Sequence, residues 1–395
     1  MSKQLISRSP DLQRLRDEGY DVEVRSSNLV VKGVPYVTAD RTVAYGMLVS
    51  ELSTGGNTTT TPATHEIFFV GSVPCDHNGN ELTKLLNQRG QLPMAGDLVA
   101  SCSFSHKPRG SSGYPDYYEK VTTYAAILEG YAHAIDPTST ARTYPPIPTD
   151  EDESVFRYLD SATSRARIGA VTEKLELAKI VIIGLGGTGS YILDLVVKTP
   201  VQEIHLYDRD TLYTHNAFRA PGAASLDELE ARPKKVDYYQ TEYDPMRRGI
   251  FTHPVHVDET NIEELRDATF VFLAIDGGPT KRFIIEKLEE FGVPFIDTGM
   301  GIYQVGTSLG GIVRTTTSAE RHRRHIWEHG LISFADAEAD EYEQNIQIAD
   351  LNMLNAALAV IKWKKLFGFY SDLDHEFSSM YTIDGNHLLN EDHAA

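Results

Sequence analysis

Cysteine is nearly absent: the 395 residues include two, Cys75 and Cys102, and no C-x-x-C pair. That excludes a disulfide scaffold and argues against a cysteine-ligated zinc site. Basic charge is in deficit, with 37 Lys and Arg against 56 Asp and Glu and a formal charge of −19, so the chain lacks the overall basic footprint of a nucleic-acid binder. Long apolar runs are also missing. The most apolar extended segment, 346–369, carries Asp350, Asn352, Asn355, Lys362, Lys364 and Lys365 and is too polar to span a bilayer. The start Met1-Ser2-Lys3-Gln4 is polar and has no apolar core of a secretory signal. These absences lead us to expect a cytoplasmic protein that binds neither nucleic acid nor membrane. The length allows two domains, each with its own core, and no internal repeat is visible.

Residues 1–134 read as a smaller α+β module, with strands at 29–34 and 66–71, a helix or edge strand at 118–131 and a mobile Thr/Gly/Asn-rich loop at 53–64. Cys75-Asp76-His77 and Ser103-Phe104-Ser105-His106-Lys107-Pro108 read as turn and loop residues, because neighbours in a turn seldom point at one another. From 135 to 154 the composition shifts to Pro and Thr and then to Asp150-Glu151-Asp152-Glu153, which predicts a semi-extended linker. A helix is expected over 153–167. The second domain, 155–395, alternates strand and helix patterns: strands at 180–183, 203–207, 255–257, 269–273 and 294–297, helices at 191–198, 226–239 and 280–290. That alternation predicts an α/β fold, a Rossmann-like, mainly parallel sheet with helices on both faces and ligands at the carboxyl ends of its strands.

The chain's most informative stretch lies at the first of these ends. Lys179-Ile180-Val181-Ile182-Ile183 is a β-branched run without polar alternation, the mark of a strand buried on both faces. Gly184-Leu185-Gly186-Gly187-Thr188-Gly189 follows, then a helical pattern. Glycines there let backbone N–H groups approach an anion, which the helix start also favours. Gly184, Gly186 and Gly189 satisfy G-x-G-x-x-G, and Asp208 lies about 20 residues on, so a dinucleotide and a mononucleotide fit equally well at this point. The next residues separate them. Asp208-Arg209-Asp210 closes the second strand, Asn216-Ala217-Phe218-Arg219 follows, Lys234 and Lys235 open a helix, and Asp276 ends a further strand. A guanidinium beside the glycine turn suits a triphosphate, and a carboxylate can hold Mg²⁺ against phosphate oxygens. Hydride transfer needs neither.

This set, in this order and spacing, resembles the ThiF/MoeB family, which includes the ubiquitin-activating enzymes. The resemblance covers 165–370, about half of the chain. It implies a ThiF-type adenylation domain that uses Mg·ATP to adenylate the C-terminal carboxylate of a ubiquitin-like protein, commonly as a homodimer, before transfer to a conjugating partner. It further implies that Gly184, Gly186, Gly187, Thr188 and Gly189 cradle the nucleotide with Asp208, that Asp210 holds the ribose, that Asn216, Arg219 and Lys235 (or Lys234) hold phosphates, and that Asp276 holds Mg²⁺. Arg219, Lys235 and Asp276 are then the catalytic set, and Arg165 is a candidate phosphate contact supplied by a neighbouring subunit. Departures are plain. The frequent zinc cysteines are missing, with Arg314-Thr315-Thr316-Thr317-Ser318 about where the first pair would stand, and no cysteine follows Cys102. A crossover segment at 315–340 offers Ser318 and Ser333 as acyl acceptors for an oxyester, with His322, His325 and His329 as nearby bases. The amphipathic segment 345–370 resembles the helix that closes this family's domain, and residues from 385 on read as a frayed tail. The N-terminal module resembles those fused to ThiF domains in bacterial ubiquitin-like operons and is expected to hold a protein partner. Three rivals remain at this stage: adenylation of a non-protein carboxylate, an NAD-binding oxidoreductase, and a non-catalytic scaffold of the same fold.

Overall fold

The computed structural model describes residues 2–94, 98–108, 110–111, 113–320, 322–334 and 346–391. The chain divides into two compact units, Met1–Ile147 with Ser164–Ala166, and Pro148–Thr163 with Arg167–Ala395.

The first unit contains strands β1 (Asp21–Arg25), β2 (Asn28–Val37), β3 (Val43–Glu51), a small hairpin of β4 (Thr54–Gly55) and β5 (Thr58–Thr59), then β6 (Glu66–Val70), β7 (Leu86–Pro93) and β8 (Val99–Ser105). Six of them form one antiparallel sheet in the order β1-β2-β3-β6-β8-β7. The segment at 118–131 is a helix, Tyr117–His133, started by Asp116, whose side chain accepts from Glu119 N. It buries Tyr117, Val121, Tyr124 and Leu128 against Val31, Leu48, Phe69 and Phe104 of the sheet. Cys75 and Cys102 are buried free thiols, and desolvation raises the pKa of both.

The stretch 135–154 is not a free linker. Ser139 and Ala141 are buried, and Tyr144 N donates to Gly19 O at 2.9 Å, so its first half belongs to the first unit. In the second unit Arg248 clamps the remainder, donating to Thr149 O (3.3 Å), Ser154 O (3.2 Å) and Phe156 O (2.9 Å). A side chain that satisfies otherwise unpaired carbonyls substitutes for the secondary structure this composition cannot form. The helix expected over 153–167 shrinks accordingly to Ser161–Ala166.

The second unit is built on β9 (Lys179–Ile183), β10 (Glu203–Tyr207), β11 (Ile250–His253), β12 (Phe270–Leu273), β13 (Phe295–Val305), β14 (Ser308–Ser318), β15 (Ser378–Thr382) and β16 (His387–Glu391). They form one eight-stranded sheet in the order β11-β10-β9-β12-β13-β14-β15-β16, parallel as far as β13 and antiparallel beyond. Helices Gly187–Val196 and Ala349–Leu366 cover one face, through Ile192, Leu193, Ala356 and Trp363. The helix Pro279–Phe291 covers the other, through Ile284, Ile285 and Leu288.

Several expected elements are redrawn. The helix expected at 226–239 is two, Leu226–Ala231 and Lys235–Tyr243, because Pro233 bars helical geometry at Arg232, which turns left-handed at φ +49°. The strand expected at 255–257 lies earlier, as β11. Thr315 to Ser318 are not the start of a crossover but the last residues of β14. Of the remaining crossover, residues 321 and 335–340 lie outside the described residues. Of the polar tail expected to fray from 385 on, His387–Glu391 form β16, paired to β15, and residues 392–395 lie outside the described residues.

Candidate active site

The glycine turn is locked between two strand ends. Gly184 N donates to Tyr207 O at the tip of β10, and Ala274 N, just past β12, donates to Ile183 O, both at 2.9 Å. Because β9 runs between β10 and β12, the turn leaves the sheet where the crossovers diverge to opposite sides, which is where open α/β sheets place their ligands. Gly184 has φ +89°, and a Cβ there would lie 2.5 Å from Ala274 O. Only glycine makes this turn. A Cβ on Gly187 or Gly189 would collide with Asn352 or with Gly184 O, whereas around Gly186 the space is open. Gly186 caps the helix Gly187–Val196 without a side-chain hydrogen bond, so the first N–H groups of a ten-residue helix face an open approach, a ready site for an anion.

The residues expected beside the turn take different roles. Asp208 is buried and its carboxylate is consumed inside the protein, with Oδ2 accepting from Leu185 N at 2.7 Å and Oδ1 from Asp210 N at 2.8 Å. It shapes the turn. Lys235, also buried, places Nζ 2.8 Å from Asp210 Oδ2 and 3.6 Å from Asp208 Oδ2. Burial pushes the Asp210 carboxyl up, but the Lys235 hydrogen bond and charge outweigh it and leave the group below its ordinary range. Asp210 stays ionised with its second oxygen available. Lys234, by contrast, donates to Arg209 O at 2.6 Å and ties the loop to the helix start.

Asn216 is buried, and its Oδ1 accepts from Tyr213 N at 2.9 Å, which closes the short helix Thr214–Ala217. That turn projects Arg219, whose buried Nε has no partner among the described residues. His215, which the sequence reading did not single out, reports on the local field. Its pKa is lowered, first by burial and then by the charges of Arg219 and Lys235. The two cations therefore act on one neighbourhood. Asp276 is exposed in the loop after β12, just ahead of the helix Pro279–Phe291, where a carboxylate is free to take a cation. Open space at Gly186, the orphaned Nε of Arg219 and the exposed carboxylate of Asp276 fit a Mg-bound nucleotide.

Of the expected acyl acceptors, Ser318 is not brought here. Ser318 is fully buried and pairs with Phe295, the first residue of β13, so it lies toward the amino end of the sheet, away from the turn. Its hydroxyl donates to Glu289 Oε1 at 3.4 Å. Ser333 is exposed beside Phe334, which stacks on Trp327. His322 stacks on His325 and Phe377. Arg165 lies in the first unit, its guanidinium 5.4 Å from the ring centre of Tyr144.

Two features escaped the sequence reading. Asn352, on the C-terminal helix, accepts from Thr188 Oγ1 at 2.9 Å and so fastens the glycine turn from above. Asp297, wholly buried beside the tip of β12, pairs with Lys281 at 2.5 Å and Arg314 at 2.9 Å. It ends an expected strand, as Asp208 and Asp276 do, and that rule would have found it.

Among the described residues, no helix is long and apolar enough to cross a membrane, and no cluster of three or more His, Cys, Asp or Glu is arranged to hold a metal ion. Residues 161–318 match the ThiF family model, and residues 10–161 match the domain of unknown function DUF6791. No curated protein matches the chain. Solved structures with a similar fold include E. coli MccB with MccA-N7isoASN, at 18% identity over 57% of this chain and 67% of that one, TM-score 0.44. MccB with ATP matches at 18% over 56% and 65%, TM-score 0.44, and PaaA at 16% over 56% and 75%, TM-score 0.41. The chain thus carries a ThiF family domain behind an N-terminal DUF6791 domain.

Proposed function

We propose that the second unit adenylates a carboxylate with ATP, and that the carboxylate is the C-terminus of a ubiquitin-like protein later passed to a conjugating partner. The observation that supports this best is the glycine turn, which ends in an open helix start, with the buried Lys235 fixed on Asp210 at the end of the neighbouring strand. A carboxylate oxygen attacks the α-phosphorus. The bond from that phosphorus to the α,β-bridging oxygen breaks, and pyrophosphate leaves with the electron pair. No proton moves, because the nucleophile is already ionised at neutral pH. The obstacle is repulsion between two anions, which fixed cations and aligned N–H donors offset. Arg219 and the N–H groups of the turn serve the phosphates, Lys235 holds Asp210 toward the ribose, and Asp276 would hold Mg²⁺, which supplies further positive charge. Since Ser318 is buried away from the turn, the acceptor in this reading is the conjugating partner or the exposed Ser333. In the same reading the chain works as a homodimer in which Arg165 reaches the nucleotide of the neighbouring copy, a point that sedimentation of the wild type and Arg165→Ala with ATP checks.

The test is ATP–pyrophosphate exchange with ubiquitin-like proteins bearing either a free or an amidated C-terminus. Exchange should require the free carboxylate, and Arg219→Ala should lower it by about 10²- to 10³-fold. Exchange driven by small carboxylates alone would move the substrate class away from proteins. An Arg219→Ala variant as active as wild type would sink the reading.

A further inference from the structure

Asp297, Lys281 and Arg314 form a buried cluster of two cations on one carboxylate, and among the described residues no other acid lies within ion-pairing distance of either cation. A desolvated cluster with a surplus charge is costly unless something balances it. The surplus is not spread evenly. Asp297 is wholly buried and the Lys281 side chain 4% exposed, while that of Arg314 is 17% exposed, with one guanidinium nitrogen on Asp297. The remaining N–H groups form a fork suited to a carboxylate.

The surroundings favour the end of an extended chain. Arg314 pairs directly with Gly299, and a Cβ there would lie 2.6 Å from its Nη2, so the guanidinium lies across bare backbone. By the two-residue period of a strand, Asp297, Gly299, Gly301 and Tyr303 share one face. Two glycines leave the β13 face itself bare, and over them lie the Arg314 guanidinium at Gly299 and Ile312, whose Cγ1 would stand 3.8 Å from a Cβ on Gly301, with the half-exposed ring of Tyr303 beyond. The pairing of β12 with β13 stops at Leu273 and Asp297. Arg314 thus stands at the same end of the sheet as Asp276 and the glycine turn.

We propose that Arg314, held flat by Asp297 with Lys281 behind it, receives the terminal carboxylate of the acyl substrate before it reacts. The proposal takes its chemistry from the adenylation reading, yet a measurement without ATP tests it. Glycylglycine should raise the melting temperature of the whole chain, glycylglycinamide should not, and Arg314→Gln should abolish the difference while Arg314→Lys keeps part of it. Arg314→Gln should fold, since Asp297 retains Lys281. With a protein acceptor in pyrophosphate exchange, Arg314→Gln should raise KM for the acceptor about tenfold to a hundredfold and leave KM for ATP unchanged. A wild type that does not distinguish acid from amide, an Arg314→Gln variant that still does, or a rise in both KM values overturns the proposal. Carboxylate binding at Arg314 without any exchange would instead remove only the adenylation reading.

Discussion

Two buried ion clusters stand at the carboxyl end of the same sheet and carry opposite surplus charge. Around Lys235 one cation meets two carboxylates, Asp208 and Asp210. Around Asp297 one carboxylate meets two cations, Lys281 and Arg314. The first also leans on backbone, because Asp208 accepts from two main-chain N–H groups, and its other carboxylate, Asp210, is 56% exposed, so its negative surplus is shared between backbone and water. The second has no comparable backbone support among the described residues, and its positive surplus stays nearly enclosed, the Arg314 side chain being 17% exposed. A cluster that passes its surplus to backbone and water shapes a site, whereas one that keeps its surplus nearly enclosed points to a ligand.

The contrast breaks first at Asp297. Asp297→Asn leaves two buried cations without a counter-charge and should cost about 3–5 kcal/mol of unfolding free energy, read by urea denaturation. If the loss is under 1 kcal/mol, the cluster is solvated and the contrast fails. Lys235→Met comes next. Asp208 keeps both N–H donors and Asp210 can turn to water, so the expected loss is about 1–3 kcal/mol, with nucleotide affinity falling more than stability. Arg314→Gln should change stability least, by about 1 kcal/mol or less, because Asp297 stays paired.

These clusters mark the limit of what the sequence makes legible. The strand, turn and helix from Lys179 to Val196 were readable because a β-branched run, glycines with one conformational purpose and an apolar helical face agree with one another. Asp208, Lys235, Arg219 and Asp276 are readable as candidates for one site, but not that Asp208 spends both oxygens on the backbone, which depends on where β10 ends. The meeting of Asp297 with Arg314 is hidden for another reason. They are 17 residues apart and meet only through the register of β13 with β14, which continues through Gly299, Gly301, Gly310 and Gly311, residues that argue against a strand when read locally. The split of the 226–239 helix was available in Pro233 and went unused. The place of Ser318 was not, since nothing local separates the end of a strand from the start of a connection.

A third cluster on this sheet serves as a neutral reference. His205 Nδ1 and His253 Nε2 lie 3.0 Å apart, His205 also faces Glu203, and His253 stacks on Tyr207 and faces Glu264, whose Oε2 accepts from the Tyr207 hydroxyl. Lys179 and Asp267 add charges of opposite sign nearby. Burial lowers the pKa of both imidazoles, and for His253 the charge of His205 lowers it further. Each ring therefore binds a proton more readily in the unfolded chain. Stability should be full above the unfolded histidine pKa, near 6.5, and should fall as pH drops below it, by up to about 1.4 kcal/mol per pH unit for each ring. His205→Gln should flatten that decline in a series of melting temperatures between neutral and mildly acidic pH. Arg314→Gln leaves both imidazoles and their partners in place and serves as the control, so an equal slope in it and wild type, with a shallower one in His205→Gln, would assign the slope to the histidine pair.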